Sequence, residues 1–141
     1  MIPRLLALLG LLVTFAVNAG AQHPSPPDRA AIRGVIQQQL DAFQRDDGTA
    51  AFGYASPMLR NLFGNAEIFM EMVRQGYPPV YRPKVVEFGE LTTVAGQPAQ
   101  KVHIIGSDGR PVTAVYVMTQ LPDGSWRIDG CYLQAPERHQ A

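Results

Sequence analysis

The hydrophobic positions of this chain change their period partway along its length. From about residue 28 to residue 76, apolar residues recur every three or four positions, which is the spacing of a helix with one buried face. From Lys84 onward they alternate with polar residues, which is the spacing of a half-buried strand. Helices followed by strands within one chain are typical of an α+β fold, and we expect the helices to pack on the sheet.

The helical part is predicted to begin at a cap formed by Ser25 or Asp28 and to hold one long helix followed by shorter ones. The long helix is expected to end near Asp46-Asp47-Gly48, with Gly48 in a left-handed conformation. Its apolar stripe consists of Ile32, Val35, Ile36, Leu40 and Phe43. The segments expected after it are a short helix over Thr49–Ala55, a helix from Asn65 to Gly76 and an irregular connection over Tyr77–Pro83.

Four strands are predicted in the second part of the chain, and each is joined to the next by a short turn. Parallel neighbours would need crossovers of about a dozen residues or more, so we expect an antiparallel meander. The predicted strands are Lys84–Val94, Ala99–Ser107, Arg110–Leu121 and Ser125–Leu133.

The lengths of the last two turns decide which side of each strand faces the helices. We expect Asp108-Gly109 to form a two-residue turn and the loop at Asp123-Gly124 to hold an even number of residues. A three-residue second loop is the alternative, and it would reverse the last strand and bury Arg127 and Asp129. With the expected turns, the side chains that face the helices are Val102, Ile104, Val115, Val117, Leu121, Trp126, Ile128 and Tyr132.

The opposite face of the predicted sheet also carries many apolar side chains. A solvated face would alternate more cleanly to polar residues, so we expect this face to be covered. The hypothesis is a homodimer formed through the outer sheet face, and the alternative is that residues beyond Leu133 fold back over it. The residues expected at the dimer face are Ile105, Val112, Tyr116, Met118, Cys131 and Leu133.

The first residues of the chain have the pattern of a secretory signal peptide. Arg4 precedes an apolar run over Leu5–Val17, and this run is shorter than the about 20 residues that cross a bilayer. Small residues follow it, so cleavage is expected between Ala21 and Gln22, or after Ala19. The predicted organisation is a signal peptide over 1–21, a Pro-rich tether over 22–27, one domain over 28–135 and a tail over 136–141. The mature protein is therefore expected to be periplasmic or secreted.

Charge and composition exclude several classes of function. The chain carries 12 basic and 12 acidic residues, so it has no electrostatic signature for nucleic acid or, after signal removal, for a membrane surface. The single cysteine, Cys131, cannot form an internal disulfide and is expected to be a small buried side chain. No metal site or cofactor is expected, because the three histidines lack ligand spacing and no phosphate-binding loop occurs.

Several short motifs together resemble an uncharacterised bacterial family, the domain-of-unknown-function family 4864, and more broadly the nuclear transport factor 2-like (cystatin-like) cone. The resemblance implies a curved sheet wrapped around the long helix and enclosing a hollow. Proteins of this wider group include enzymes, ligand binders and interaction modules, so the fold alone implies no function. The motifs are Ala42-Phe43 with Asp46-Asp47-Gly48, Ala51-Phe52 with Ala55-Ser56-Pro57, Phe69-Met70 with Met72-Val73, Pro79–Pro83, and Trp126–Gly130.

The candidate site is the hollow that this fold would enclose. Gln39 lies at the centre of the helical stripe, and Asp46 falls on the same line one heptad later. The expected function is an exported domain that binds a small apolar ligand or a partner protein and lacks catalytic machinery. The alternative is an isomerase or hydrolase that uses an inward carboxylate such as Asp46. The residues expected to line the hollow are Gln39, Asp46, Tyr54, Tyr81, Val115, Val117, Trp126, Ile128 and Tyr132.

Overall fold

The computed structural model describes residues 24–136, which fold as helices packed against one four-stranded antiparallel sheet. This architecture confirms the predicted α+β class. The predicted signal peptide, its cleavage site and most of the predicted tail lie outside the described residues. In chain order the elements are α1 Pro26–Gln44, α2 Gly48–Gly53, α3 Pro57–Phe63, α4 Ala66–Gly76, α5 Pro78–Tyr81, β1 Pro83–Val94, β2 Gln97–Gly106, β3 Pro111–Gln120 and β4 Trp126–Gln134.

The long helix α1 begins at a capping box. The Ser25 side chain accepts a hydrogen bond from the Asp28 backbone N–H, and the Asp28 carboxylate accepts one from the Ser25 backbone N–H. Pro26 occupies the first helical position, where its fixed φ favours the helix and its missing N–H is not needed. Pro26 and Pro27 therefore belong to α1, and the tether predicted over 22–27 is wrong for these two residues.

The apolar stripe of α1 packs against the sheet, with Ile32, Ile36, Leu40 and Phe43 buried as expected. The Trp126 indole N–H donates a hydrogen bond to the Asp28 carboxylate at 3.2 Å, and this contact joins the start of α1 to β4. Asp28 thus serves both the helix cap and the sheet.

The turn after α1 differs from the prediction. Asp46 takes the left-handed conformation, with φ of 52°, and Gly48 instead begins α2. The Asp47 carboxylate caps α2 by accepting the Ala50 N–H at 3.1 Å. A Cβ at residue 48 would lie 2.8 Å from Met70 Cγ, so the glycine is required for close packing. Farther along, the short helix α5 replaces the irregular connection predicted over Tyr77–Pro83.

The hairpin between β2 and β3 has a three-residue loop, not the predicted two-residue turn. Gly106 N–H bonds the Arg110 carbonyl at 3.0 Å, which leaves Ser107, Asp108 and Gly109 in the loop. Gly109 has φ of 78°, the conformation that this loop length requires. The extra loop residue shifts the register by one, so Val102 pairs with Ala114 and the faces of β3 are exchanged.

The loop between β3 and β4 also has three residues, Pro122 to Gly124, because Leu121 N–H bonds the Ser125 carbonyl at 2.7 Å. A three-residue loop here is the alternative considered above, and alone it would exchange the two faces of β4. Because the faces of β3 are exchanged as well, the two one-residue shifts cancel. Trp126 and Ile128 therefore face the helices as predicted, and Arg127 does not.

A bulge at Asp129 reverses the remainder of β4. Met118 pairs with Ile128 and Val117 pairs with Gly130, which leaves Asp129 as the extra residue. Beyond this bulge Cys131 and Leu133 pack on the core. Tyr132 points to the outer face with 42% of its surface exposed, so its predicted inward position is wrong.

The predicted assignment of side chains to the two sheet faces is therefore wrong for β3 and for the end of β4. Val115 and Val117 lie on the outer face, where Val115 is flanked by Lys101 and Tyr132, and Leu121 lies outside the core cluster. Of the residues expected at the dimer face, only Ile105 is exposed on the outer side. The others pack against or within the helix-facing core: Val112, Tyr116, Met118, Cys131 and Leu133.

Replacing Gly109 with alanine should destabilise the protein by about 1 kcal/mol, because an L-residue is strained at this positive φ. The measurement is the free energy of unfolding from urea denaturation. Gly34→Ala is the matched control, since nothing lies within 4 Å of either added methyl group. Because Gly34 lies inside α1, its replacement should stabilise the protein by roughly 0.5–1 kcal/mol. Equal effects of the two substitutions would contradict the three-residue loop.

Candidate functional site

An apolar cavity of about 180 Å³ lies between the helices and the strands β3 and β4. The apolar faces of the helices and the helix-facing side of the sheet do not fill the space between them completely. The cavity is therefore walled by residues from several helices and from the sheet. The side chains that line it include Gln39 and Phe43 from α1, Leu59 and Phe63 from α3, Phe69, Met72 and Val73 from α4, Val80 from α5, and Tyr116, Ile128 and Cys131 from the sheet.

The helix α4 supplies one wall because its apolar residues recur at helical spacing. Phe69, Met72 and Val73 stand at positions i, i+3 and i+4, so they share one face. The Phe69 ring lies 6.2 Å from that of Phe43 and 5.6 Å from that of Phe63, distances typical of aromatic pairs. This aromatic cluster gives the cavity a rigid apolar side.

Three polar side chains reach the wall of the cavity, and two of them are already hydrogen-bonded. Gln39 Nε2 donates to the Ala51 carbonyl at 3.1 Å, and the Tyr77 hydroxyl donates to the Cys131 carbonyl at 2.8 Å. The third, the Tyr116 hydroxyl, is buried, and its hydrogen-bonding neighbour is the thiol of Cys131. A thiol is a weak hydrogen-bond partner, so Tyr116 is less well satisfied than Gln39 and Tyr77.

The Cys131 thiol lies within hydrogen-bond reach of the Tyr116 hydroxyl, and both groups are neutral at pH 7. Burial raises the pKa of Tyr116 well above its ordinary value, and the neighbouring Cys131 adds to this effect. Burial also raises the pKa of Cys131 to about 12, although the nearby Tyr116 opposes the shift. A thiol with so high a pKa is a poor nucleophile, which fits the expected role of Cys131 as a buried side chain.

The predicted lining residues divide into four groups. Gln39 and Ile128 line the cavity, while Trp126 is buried beside the start of α1 and Tyr54 is half-buried at the end of α2. Asp46 and Tyr81 lie together outside it. Those that point to the opposite face of the sheet are Val115, Val117 and Tyr132.

The sequence reasoning missed Tyr116 and Cys131, which form the polar corner of the cavity together with Tyr77. The predicted two-residue turn at Gly109 puts Tyr116 on the outer face, whereas Cys131 is put there because the prediction lacks the bulge at Asp129. Three-residue hairpin loops favour glycine at their left-handed position, and this preference was the available signal.

Asp46 is the centre of a polar cluster outside the cavity. The Tyr81 hydroxyl donates to one of its carboxylate oxygens, and Arg82 Nη2 donates to the other at 3.0 Å. Arg74 Nη2 lies 3.7 Å from the first oxygen. The hydrogen bond from Tyr81 is the largest cause that lowers the pKa of Asp46, and the two arginines lower it further.

The same cluster closes the end of α1. Arg82 Nη1 donates to the Phe43 carbonyl at 2.6 Å, where a cation interacts favourably with the helix C-terminus. Its guanidinium also stacks 4.0 Å from the centre of the Tyr81 ring. The cluster therefore joins α1, α4 and α5, and the carboxylate of Asp46 does not point into the hollow as the isomerase or hydrolase alternative requires.

The outer side of the cavity is covered thinly. The helix α3 has no buried residue, although Leu59 and Phe63 turn toward the cavity. Large apolar side chains on α3 and α4 remain exposed, and Leu62 exposes 72% of its surface. The other two are Met58 of α3 and Ile68 of α4, so both helices combine exposed apolar side chains with others that line the cavity.

Within residues 24–136 no group of three or more potential ligands is placed to hold a metal ion. None of the helices in this range is both long and apolar enough to cross a membrane.

Fold and site together define a small α+β domain with an apolar cavity between its helices and its sheet. A family model described as a domain of unknown function, DUF4864, matches residues 25–141. The chain therefore belongs to this family, and the resemblance inferred from its motifs is confirmed at that level. No curated protein and no solved structure matches the chain.

The Asp46 cluster should make the free energy of unfolding depend on pH in the acidic range. Because the folded pKa of Asp46 lies below its ordinary value of 3.8, its stabilising contribution is complete above that value and is lost as the pH falls through the folded pKa. The difference in unfolding free energy between the native protein and Asp46→Asn should therefore shrink between about pH 6 and about pH 2. Asparagine also tolerates the left-handed backbone, so the substitution isolates the charge. Tyr81→Phe should weaken this pH dependence, and an unchanged dependence in both variants would contradict the assignment.

Tyr116→Phe should leave the protein as stable as before or stabilise it by about 1 kcal/mol, because it removes a buried hydroxyl whose hydrogen-bonding neighbour is a weak one, the Cys131 thiol. The measurement is again urea denaturation. Tyr77→Phe is the matched control, since it removes a hydroxyl that donates to the Cys131 carbonyl and should destabilise by about 1 kcal/mol. A loss of stability in Tyr116→Phe as large as that in Tyr77→Phe would show that the Tyr116 hydroxyl makes a hydrogen bond as strong as that of Tyr77.

Proposed function

We propose that this protein is an exported, non-catalytic domain that binds a small, mainly apolar molecule in the cavity between its helices and its sheet. The observation that carries the proposal is the cavity of about 180 Å³, which is walled by aromatic and aliphatic side chains. Export is proposed from the signal-like first residues of the sequence.

The proposal includes the nuclear transport factor 2-like cone as the wider fold. A long helix packed on a four-stranded antiparallel sheet, with a hollow between them, supports this placement. A homodimer through the outer sheet face is not part of the proposal, because most of the side chains expected there belong to the core.

The size of the cavity limits the ligand. An apolar cavity of about 150 Å³ remains dry and binds benzene, and the cavity of this protein, at about 180 Å³, is of similar size. The ligand class is therefore a single substituted ring or a short branched hydrocarbon.

The chemistry of the wall supports binding over catalysis. The lining side chains from the described part of the chain include no carboxylate, imidazole, ammonium or guanidinium group. A general acid or base must lie within hydrogen-bond reach of the reacting proton, and the Asp46 carboxylate is held in its cluster outside the cavity. The isomerase or hydrolase alternative consequently has less support than ligand binding.

The test is binding of toluene, measured as the rise in the thermal unfolding midpoint at saturating concentrations. Stabilisation of about 2.7 kcal/mol is expected when the ligand concentration reaches about 100 times its dissociation constant. Val73→Phe places an additional ring in the cavity wall and should abolish this rise. Val85→Phe makes the same change on the exposed outer face of β1 and should preserve it. An equal response of both variants, or no response of the native protein, would refute the cavity as the binding site.

A further inference from the structure

One polar side chain of the cavity wall, that of Gln39, uses only part of its hydrogen-bonding capacity. Gln39 lines the cavity and is only 4% exposed. Its Nε2 donates to the Ala51 carbonyl at 3.1 Å, and this is the only hydrogen bond of the side chain among residues 24–136. Because a carbonyl oxygen can only accept, the contact with Ala51 fixes which end of the carboxamide is the nitrogen. The other end, Oε1, is an acceptor that no protein group of this range occupies.

The surface of Oε1 decides whether a ligand can reach it. Fully enclosed side-chain atoms without a nitrogen or oxygen partner occur in the described residues only at Tyr116 and Arg127. Gln39 Oε1 also lacks such a partner but is not one of these enclosed atoms, so it keeps accessible surface. Since Gln39 is otherwise buried on the inner face of α1 and lines the cavity, this surface opens on the cavity.

The charge of the wall excludes an ionic donor. No charged side chain lines the cavity in the described part of the chain, so a bound ammonium or guanidinium group would lose its hydration without gaining a counter-ion. A neutral O–H or N–H group has a much smaller desolvation cost, and a hydrogen bond to Oε1 offsets it.

The neighbours of Gln39 on α1 indicate where the ligand carries its donor. Phe43 follows Gln39 at i+4, so the two side chains are adjacent on one face of the helix. The Phe43 ring lies 6.2 Å from that of Phe69, and both rings line the cavity. An aromatic ligand that packs on this pair has its ring substituents beside the Gln39 carboxamide. The donor is therefore expected directly on the ring.

We infer that the natural ligand is an uncharged molecule with one aromatic ring that carries a hydroxyl or N–H group, and that Gln39 Oε1 accepts a hydrogen bond from this group. The inference rests on the proposed function and adds to it the polarity of the ligand and the residue that selects it. The bond to the Ala51 carbonyl holds the carboxamide in one orientation, so the acceptor is preorganised.

The experiment compares phenol with toluene, two probes of nearly the same shape in which a hydroxyl replaces a methyl group. Dissociation constants are measured for the native protein, for Gln39→Met and for Leu59→Met, which places the same side chain at another position of the wall. Because the hydration of each probe is the same in all three measurements, a change in the affinity ratio reports the altered wall. We expect Gln39→Met to weaken phenol relative to toluene by about tenfold, and Leu59→Met to leave the ratio unchanged.

A second pair of probes, anisole and ethylbenzene, tests the direction of the hydrogen bond. Anisole has an ether oxygen in place of a methylene group, so it can accept a hydrogen bond but cannot donate one. Its affinity relative to ethylbenzene should be the same in the native protein and in Gln39→Met. A loss of anisole affinity in place of phenol affinity would overturn the inference, because Gln39 would then act as the donor.

A measurement on the native protein alone tests the inference even where Gln39→Met does not fold. A wall without an acceptor would discriminate against phenol as strongly as cyclohexane does in partition from water. We expect the native protein to bind phenol, relative to toluene, at least tenfold more tightly than this partition predicts.

An unchanged affinity ratio of phenol and toluene in Gln39→Met, or discrimination by the native protein as strong as that of cyclohexane, would overturn the inference while leaving ligand binding intact. Failure of both phenol and toluene to bind the native protein would instead refute the proposed function.

Discussion

The positive φ of Gly109 is the constraint on which the rest of the structure depends. It makes the loop between β2 and β3 three residues long, and this length places Ala114, Tyr116 and Met118 against the helices. The second three-residue loop then returns Trp126 and Ile128 to the same side, and the bulge at Asp129 adds Cys131 and Leu133. One glycine therefore decides which face of the sheet forms the cavity.

Two sets of polar side chains lie in different places in this structure, one around Asp46 and one around Tyr116. Around Asp46, two arginines and a tyrosine use their hydrogen bonds on one another and on the end of α1, so this cluster holds three helices together. Around Tyr116, a phenol is buried beside the Cys131 thiol, a weak hydrogen-bond partner. Charged groups thus stabilise the scaffold from outside the cavity, while the polar groups that line the cavity in the described residues are neutral.

The sequence predicted the α+β class, the antiparallel meander and the buried stripe of α1, because these depend on periodicity over many residues. It did not predict the face of β3, since a loop longer by one residue reverses every side chain of the strand that follows. The bulge at Asp129 had no recognisable local signal, and without it Tyr132 would face the helices. Asp46 was misplaced for another reason: its partners, Arg74, Tyr81 and Arg82, come together only when α4 and α5 fold back on α1.

The absence of buried residues in α3 affects how readily this helix unfolds locally. A helix without a buried residue can detach at a smaller free-energy cost than the sheet or α1, because it exposes little additional apolar surface when it leaves. Local unfolding of this single segment would open the cavity while the capping box, the Asp46 cluster and the strand ladder stay intact. The amide hydrogens of α3 would then exchange with solvent through a subglobal opening, and those of α1 only through global unfolding.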